Sequence, residues 1–194
     1  VRNSEFTAEL ADVSSSLTND DSAQFLPDII QPGLSILFCG INPGLRAASK
    51  GHHFEGRGNR FWRVLHLADF TDEVFRPEND RQLLNCGYGL TTAVLRPTAR
   101  ADQLSKVEIQ AAAAQFELKI RHYAPRFIAF LGKVALAEMS GQRDIKWGLQ
   151  ARDFAGARAW VLPNPSGLNR TFSLDALVSA YRELRFAAEP ALPD

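Results

Sequence analysis

Residues 40–44 read Gly-Ile-Asn-Pro-Gly, and residues 164–170 read Asn-Pro-Ser-Gly-Leu-Asn-Arg; each directly follows a short apolar run. In the first stretch Pro43 fixes its own φ and biases Asn42 towards extended backbone. A side-chain amide held that way can accept a hydrogen bond from water and orient it, but it cannot serve as a strong base. A dozen residues on, Gly51-His-His-Phe54 adds two imidazoles and an aromatic face. The second stretch puts an apolar side chain, Leu168, on a polar loop beside a cation, Arg170. Taken singly, Asn-Pro-Gly can be a turn closed by its own Asn, and a lone loop Leu more often folds back into a core. The phosphate-cradling patterns G-x-G-x-x-G and G-x-x-x-x-G-K-[ST] are not present at the first turn, which excludes cofactor binding by those modes.

These loops need strands before them and helices after them. Leu34–Cys39 reads as a buried strand after the Pro32-Gly33 turn, and the loop it opens, residues 40–58, holds five glycines. A helix follows, with Asn59 as N-cap and Phe61, Trp62, Val64 and Leu65 on its apolar side. Tyr88–Val94, Phe127–Leu131 and Ala159–Leu162 read as three more strands. Ser105-Lys-Val-Glu108 is a capping-box signature. The helix it starts gathers Val107, Ala111, Ala114 and Leu118 on one face. A short helix is expected over Val134–Met139. A last one begins near Ser173, with Leu174, Leu177, Val178 and Tyr181 as its buried stripe. Strands alternating with helices predict a single α/β domain: three layers, α/β/α, around a short central, mainly parallel sheet. Ligand loops then gather at the carboxyl ends of the strands.

The 194 residues are 45% hydrophobic, enough for one compact core, and carry no net charge. Locally the balance shifts. Residues 1–30 hold six carboxylates against Arg2, whereas residues 42–63 hold five cations against Glu55. A basic patch beside the first loop could hold phosphates, although ordinary surface charge is the simpler account. Residues 1–24 are polar, Ser-rich and acidic and read as a loosely held extension; residues 189–194 read as a tail. The two cysteines, Cys39 and Cys86, lie in apolar surroundings and read as buried thiols, and no Cys-x-x-Cys pair supports a metal or cluster. No apolar run is long enough to span a membrane and no signal-peptide pattern is evident, so a cytosolic protein is expected.

Gly40-Ile-Asn-Pro-Gly-Leu45, Ala47-Ala48, Lys50-Gly-His-His-Phe54 and Gly58-Asn-Arg-Phe-Trp62 closely resemble the mismatch-specific uracil-DNA and thymine-DNA glycosylase family. Asn164-Pro-Ser-Gly-Leu168 with Arg170 resembles the second motif of its bacterial members, and the likeness runs in order over about residues 33–185. The resemblance implies a glycosylase domain over residues 25–188. It also implies a monofunctional enzyme of base excision repair that flips a mismatched or damaged pyrimidine out of double-stranded DNA. A preference for a pyrimidine opposite guanine, as in a G·U mismatch, is implied as well. No cofactor, metal or membrane is implied, and a monomer is expected.

By the same resemblance Asn42 orients the water that attacks C1′, Phe54 stacks on the flipped base, and backbone groups around Ile41 bond the base and stabilise it as it leaves. Leu168 becomes a wedge that fills the gap in the stack, Gly167 gives it clearance, and Arg170 reaches the widowed base or a phosphate. Asn164 shapes the pocket and its water. His53 is either a structural imidazole or a donor to the base or to DNA; a metal ligand is not supported, because no other ligand set appears. A carboxylate would help an otherwise slow reaction. Asp102, after the second strand, is expected to supply it, with Glu55 as the other candidate. The chain mixes branches of the family: Asn169 and Thr92 stand where the familiar bacterial form has Ser and Lys, and a small Ala47 leaves room for thymine or modified bases. A non-catalytic binder of damaged DNA and a small-molecule nucleotide hydrolase are the competing readings.

Overall fold

The computed structural model describes residues 25–189; the N-terminal extension expected over residues 1–24 and nearly all of the expected tail lie outside them. The sheet has five strands in the order β2-β1-β3-β5-β4. Strands β1 (Ile36–Gly40), β2 (Tyr88–Thr92), β3 (Phe127–Leu131) and β5 (Arg158–Leu162) are parallel; β4 (Gly148–Leu149), which the sequence reading did not anticipate, pairs antiparallel with β5. All five residues of β2 and of β3 are buried, as expected for a parallel sheet covered on both faces. Alternation along β1 divides the interior. Ile36 and Phe38 face one apolar cluster, Leu37 and Cys39 the other.

The first cluster is closed by α2 (Phe61–Leu67) and α5 (Leu174–Ala187), the second by α3 (Lys106–Tyr123) and α4 (Lys133–Ser140). The result is the three-layer α/β/α arrangement. The capping box at Ser105 forms: its hydroxyl accepts from Glu108 N, and Glu108 reaches back to Ser105 N. The expected stripe of α5 packs into the first cluster, with Leu177 and Tyr181 fully buried.

Four local expectations are corrected. The face of α3 carrying Val107, Ala111, Ala114 and Leu118 is the solvent face, and Ile109, Phe116 and Ile120 are buried instead. Cys86 is exposed; only Cys39 is buried. The first loop contains a six-residue helix, α1 (Leu45–Lys50), ended by Gly51 at φ 74°. Asn59 sits one position before the N-cap of α2, where its Oδ1 accepts from Phe61 N at 3.0 Å. Among the described residues no helix is long and apolar enough to cross a membrane.

Candidate active site

The carboxyl ends of β1, β3 and β5 release Gly40, Leu131 and Leu162, and the loops that follow β1 and β5 meet over a cavity of about 160 Å³. That is well below the roughly 300–1,000 Å³ of clefts that enclose drug-sized ligands, and it suits a single ring rather than a whole nucleotide. Ile41, Asn42, His53, Phe54, Asn164 and Leu168 all line it. Two loops more than a hundred residues apart in sequence thus converge, as the motif pairing implied.

Asn42 is fixed by its amide nitrogen. Nδ2 donates to the carbonyl of Arg96 and to the Thr98 hydroxyl, both at 2.8 Å. A carbonyl can only accept, so the nitrogen, not the oxygen, must face Arg96. Oδ1 is left as the acceptor of a residue that lines the cavity. The carbonyls of Gly40 and Ile41 accept from Ala93 N and Val94 N at 2.9 Å. These two bonds tie the Gly40-Ile41 turn to the end of β2.

Phe54 is set by its neighbours. His53 donates its backbone N–H to Asp80 Oδ2 at 2.9 Å and accepts from Trp62 Nε1 at 3.2 Å. With His53 locked, Phe54 takes φ 56°, a left-handed conformation that costs a non-glycine residue about 1–3 kcal/mol. Its ring stacks on Phe61 at 3.8 Å between centroids and 21° between planes.

His53 borders the cavity with its ring packed inside the protein. The ring is only 2% exposed and Nε2 lies 2.9 Å from the carbonyl of Pro27. Burial pulls its pKa below the ordinary value of 6.5, against the opposing effects of the Pro27 hydrogen bond and Asp80. In the neutral ring the Pro27 carbonyl needs the proton on Nε2, which leaves Nδ1 with none to give. His53 therefore holds the pocket wall.

Asp102 stands outside the cavity lining. It lies on a single 3-10 turn, Ala101–Gln103, with its side chain 62% exposed and paired to Arg100 at 2.6 Å. That hydrogen bond draws its pKa below the usual carboxylate value. Thr98 to Ala101 border the cavity, but the turn carries the Asp102 carboxylate outward. The carboxylate in the cavity wall is Glu55, 18% exposed and paired with Arg46 at 2.9 Å.

The second loop closes on itself. Asn164 Oδ1 accepts from Ser166 N at 2.9 Å, Ser166 Oγ accepts from Leu168 N at 3.3 Å, and Asn169 Nδ2 donates to the Asn164 carbonyl at 2.9 Å. These turns carry Leu168 outward, 73% exposed, at the cavity rim. Arg170 is exposed on the same loop. A Cβ on Gly167 would lie 2.6 Å from the Gly58 carbonyl oxygen, so the two loops touch backbone to backbone at that point.

Two residues beyond the predicted set bear on the cavity and its loops. Thr92, at the end of β2, borders the cavity, and its buried hydroxyl has no hydrogen-bond partner among the described residues. An orphaned buried hydroxyl calls for a partner. Arg60 reaches across to the second loop. The sequence showed it as one cation among five and as part of the Gly58–Trp62 motif, with no role of its own.

Comparison with known proteins bears on this geometry. The solution NMR structure described as "a putative Uracil DNA glycosylase from Methanosarcina acetivorans" aligns over 84% of this chain and 98% of its own, with TM-score 0.54 and 21% identity. At that identity the likeness establishes the fold. The model of the uracil DNA glycosylase superfamily matches residues 27–185, the span that builds the sheet, its helices and both loops. By that match the chain belongs to the uracil DNA glycosylase superfamily, whose members bind DNA and hydrolyse N-glycosidic bonds.

Proposed function

We propose that this chain is a monofunctional DNA glycosylase that removes uracil from duplex DNA, with uracil opposite guanine as its preferred substrate. The observation that carries the reading is the orientation of Asn42. Both N–H bonds of its amide are used inside the protein, which leaves Oδ1 as the acceptor of a residue that lines a ring-sized cavity. An acceptor held there takes a hydrogen bond from a water and points that water's lone pair at C1′ of a flipped nucleotide.

In the reaction the bond between C1′ and the base nitrogen breaks and its electron pair leaves with the base. Backbone N–H groups in the Ile41 turn take up the charge that develops. Water oxygen adds to the oxocarbenium-like carbon, and its proton passes through solvent to the departed base. Glu55 lies close enough to the cavity to stabilise the cationic sugar. Phe54 offers one ring face to the base while Phe61 backs the other.

Leu168 enters the stack from which the base has left, and Arg170 meets the unpaired guanine or a neighbouring phosphate. Ala47, small and bordering the cavity, leaves room for thymine or modified pyrimidines; one methyl group is worth only about 1–3 kcal/mol of discrimination. The enzyme works as a cytosolic monomer without cofactor or metal. The test is uracil release from a G·U duplex by the protein and by Asn42→Ala: release by the former and near-complete loss in the latter supports the reading, and equal rates contradict it.

A further inference from the structure

The wedge loop is built around a single guanidinium. Arg60 Nη1 donates to the Phe172 carbonyl at 2.8 Å, and Nη2 donates to those of Asn169 at 2.8 Å and Ser166 at 3.2 Å. Nε donates to the Pro165 carbonyl at 3.3 Å, and the backbone N–H of Arg60 donates to the same oxygen at 3.1 Å. Four carbonyls spaced over residues 165–172 thus turn inward onto one side chain. Carbonyl dipoles converging in this way repel one another unless a cation sits among them. No carboxylate lies within ion-pair distance of Arg60 among the described residues, so the loop's carbonyls are the partners of that charge.

The opposite end of this arrangement is the base pocket. Arg60 is the N-cap of α2, and the next residue, Phe61, is the ring on which Phe54 stacks. One turn of backbone therefore carries both the support for the flipped base and the clasp on the loop that holds Leu168. The Gly58–Gly167 backbone contact lies beside it.

We propose that Arg60 is the positioning residue of the wedge: its guanidinium holds residues 165–172 in the one shape that presents Leu168 to the duplex, and locks that loop in register with the base pocket. The inference rests on the glycosylase reading for its catalytic consequence but not for its structural one. Lysine at this position has three donors on a point charge and cannot reach four carbonyls in the plane of a fork.

Two readouts test it. Amide hydrogen exchange over residues 166–172 should be faster in Arg60→Met than in the unsubstituted protein, with exchange in β1, β3 and β5 unchanged. In single-turnover assays Arg60→Met should slow uracil release from a G·U duplex by about tenfold to a hundredfold, the scale of a misplaced group away from the chemistry. Release from single-stranded DNA, where there is no stack to fill, should fall much less. Arg60→Lys should fall between the two. Because Arg60 acts through Leu168, adding Arg60→Met to Leu168→Ala should cost little further. The clasp is overturned if loop exchange is unchanged. Its role in the wedge is overturned if single- and double-stranded rates fall equally, or if the two substitutions multiply in full. If the unsubstituted protein releases no uracil from either substrate, the glycosylase reading fails while the exchange result still decides the clasp.

Discussion

The Thr98 hydroxyl lies between the amide of Asn42 and the carbonyl of Arg100, accepting from Nδ2 at 2.8 Å and donating onward at 2.8 Å. Thr98 is buried and its own N–H bonds the Pro43 carbonyl at 3.0 Å, so it anchors both sides of the Asn-Pro turn. Replacing it by valine keeps the shape and the backbone bond and removes the hydroxyl. One buried hydrogen bond is worth about 0.5–1.5 kcal/mol, so Thr98→Val should slow single-turnover uracil release by roughly threefold to tenfold through a looser Asn42. The melting temperature should fall by only a few degrees. An unchanged rate would mean that the Arg96 carbonyl alone fixes the amide.

The two carboxylates separate cleanly by substitution. Glu55 borders the cavity; Asp102 is exposed and held outward by Arg100. A carboxylate that assists the chemical step commonly contributes about 10²–10⁴-fold, and one acting only through charge on the sugar sits at or below the low end. Glu55→Gln should lower the single-turnover rate by at least about tenfold, and Asp102→Asn should leave it within about twofold. The reverse ranking would restore Asp102 to the site.

Most of the scaffold was legible because apolar runs ending in glycine are hard to read otherwise in a chain with helices between them. Leu34–Cys39 and Phe127–Leu131 appear as strands within two residues. The α3 face was not legible from spacing alone, because Val107 and Leu118 on one side compete with Ile109, Phe116 and Ile120 on the other. In a helix with four consecutive alanines, two rival stripes exist and only packing against Phe130 and Phe154 chooses between them. The direction of the Asp102 side chain is not legible in sequence, because position after a strand says nothing about which way one 3-10 turn points a side chain. Arg60 stands in the Gly58–Trp62 motif, but its role was not legible for a related reason: its partners are backbone carbonyls, which leave no mark in the sequence. That Asn42, Phe54 and Leu168 come from two loops was legible through motifs; that they line one cavity is a matter of contacts, which motif spacing does not encode.

Gly167 has a steric role that alanine tests. The added Cβ would press on the Gly58 carbonyl at 2.6 Å, backbone against backbone, where neither side yields easily. Overpacking of this kind typically costs about 1–3 kcal/mol. Gly167→Ala should shift the wedge loop and slow release from duplex DNA more than from single strands. Equal slowing of both would place the strain in the base pocket instead.

Buried His53 gives the fold a pH dependence whose sign is set by its lowered pKa. In the unfolded chain the ring takes a proton near the ordinary value of 6.5; in the folded chain it resists until the pH is lower. The stability it contributes is complete above 6.5 and is lost as pH falls through the window beneath that value. Melting temperatures measured from pH 7.5 down to about 5 should therefore drop more steeply for the unsubstituted protein than for His53→Gln, which cannot titrate there. Parallel curves would show that other groups set the acid limit.

The central claim is that Asn42 and the cavity beside it release an unmodified pyrimidine base from a duplex. Duplexes carrying uracil or thymine opposite each of the four bases, incubated with the protein and then treated with alkali, report it as strand breaks. Breaks at uracil opposite guanine, lost in Asn42→Ala, are the predicted result; intact strands in every duplex would contradict the account.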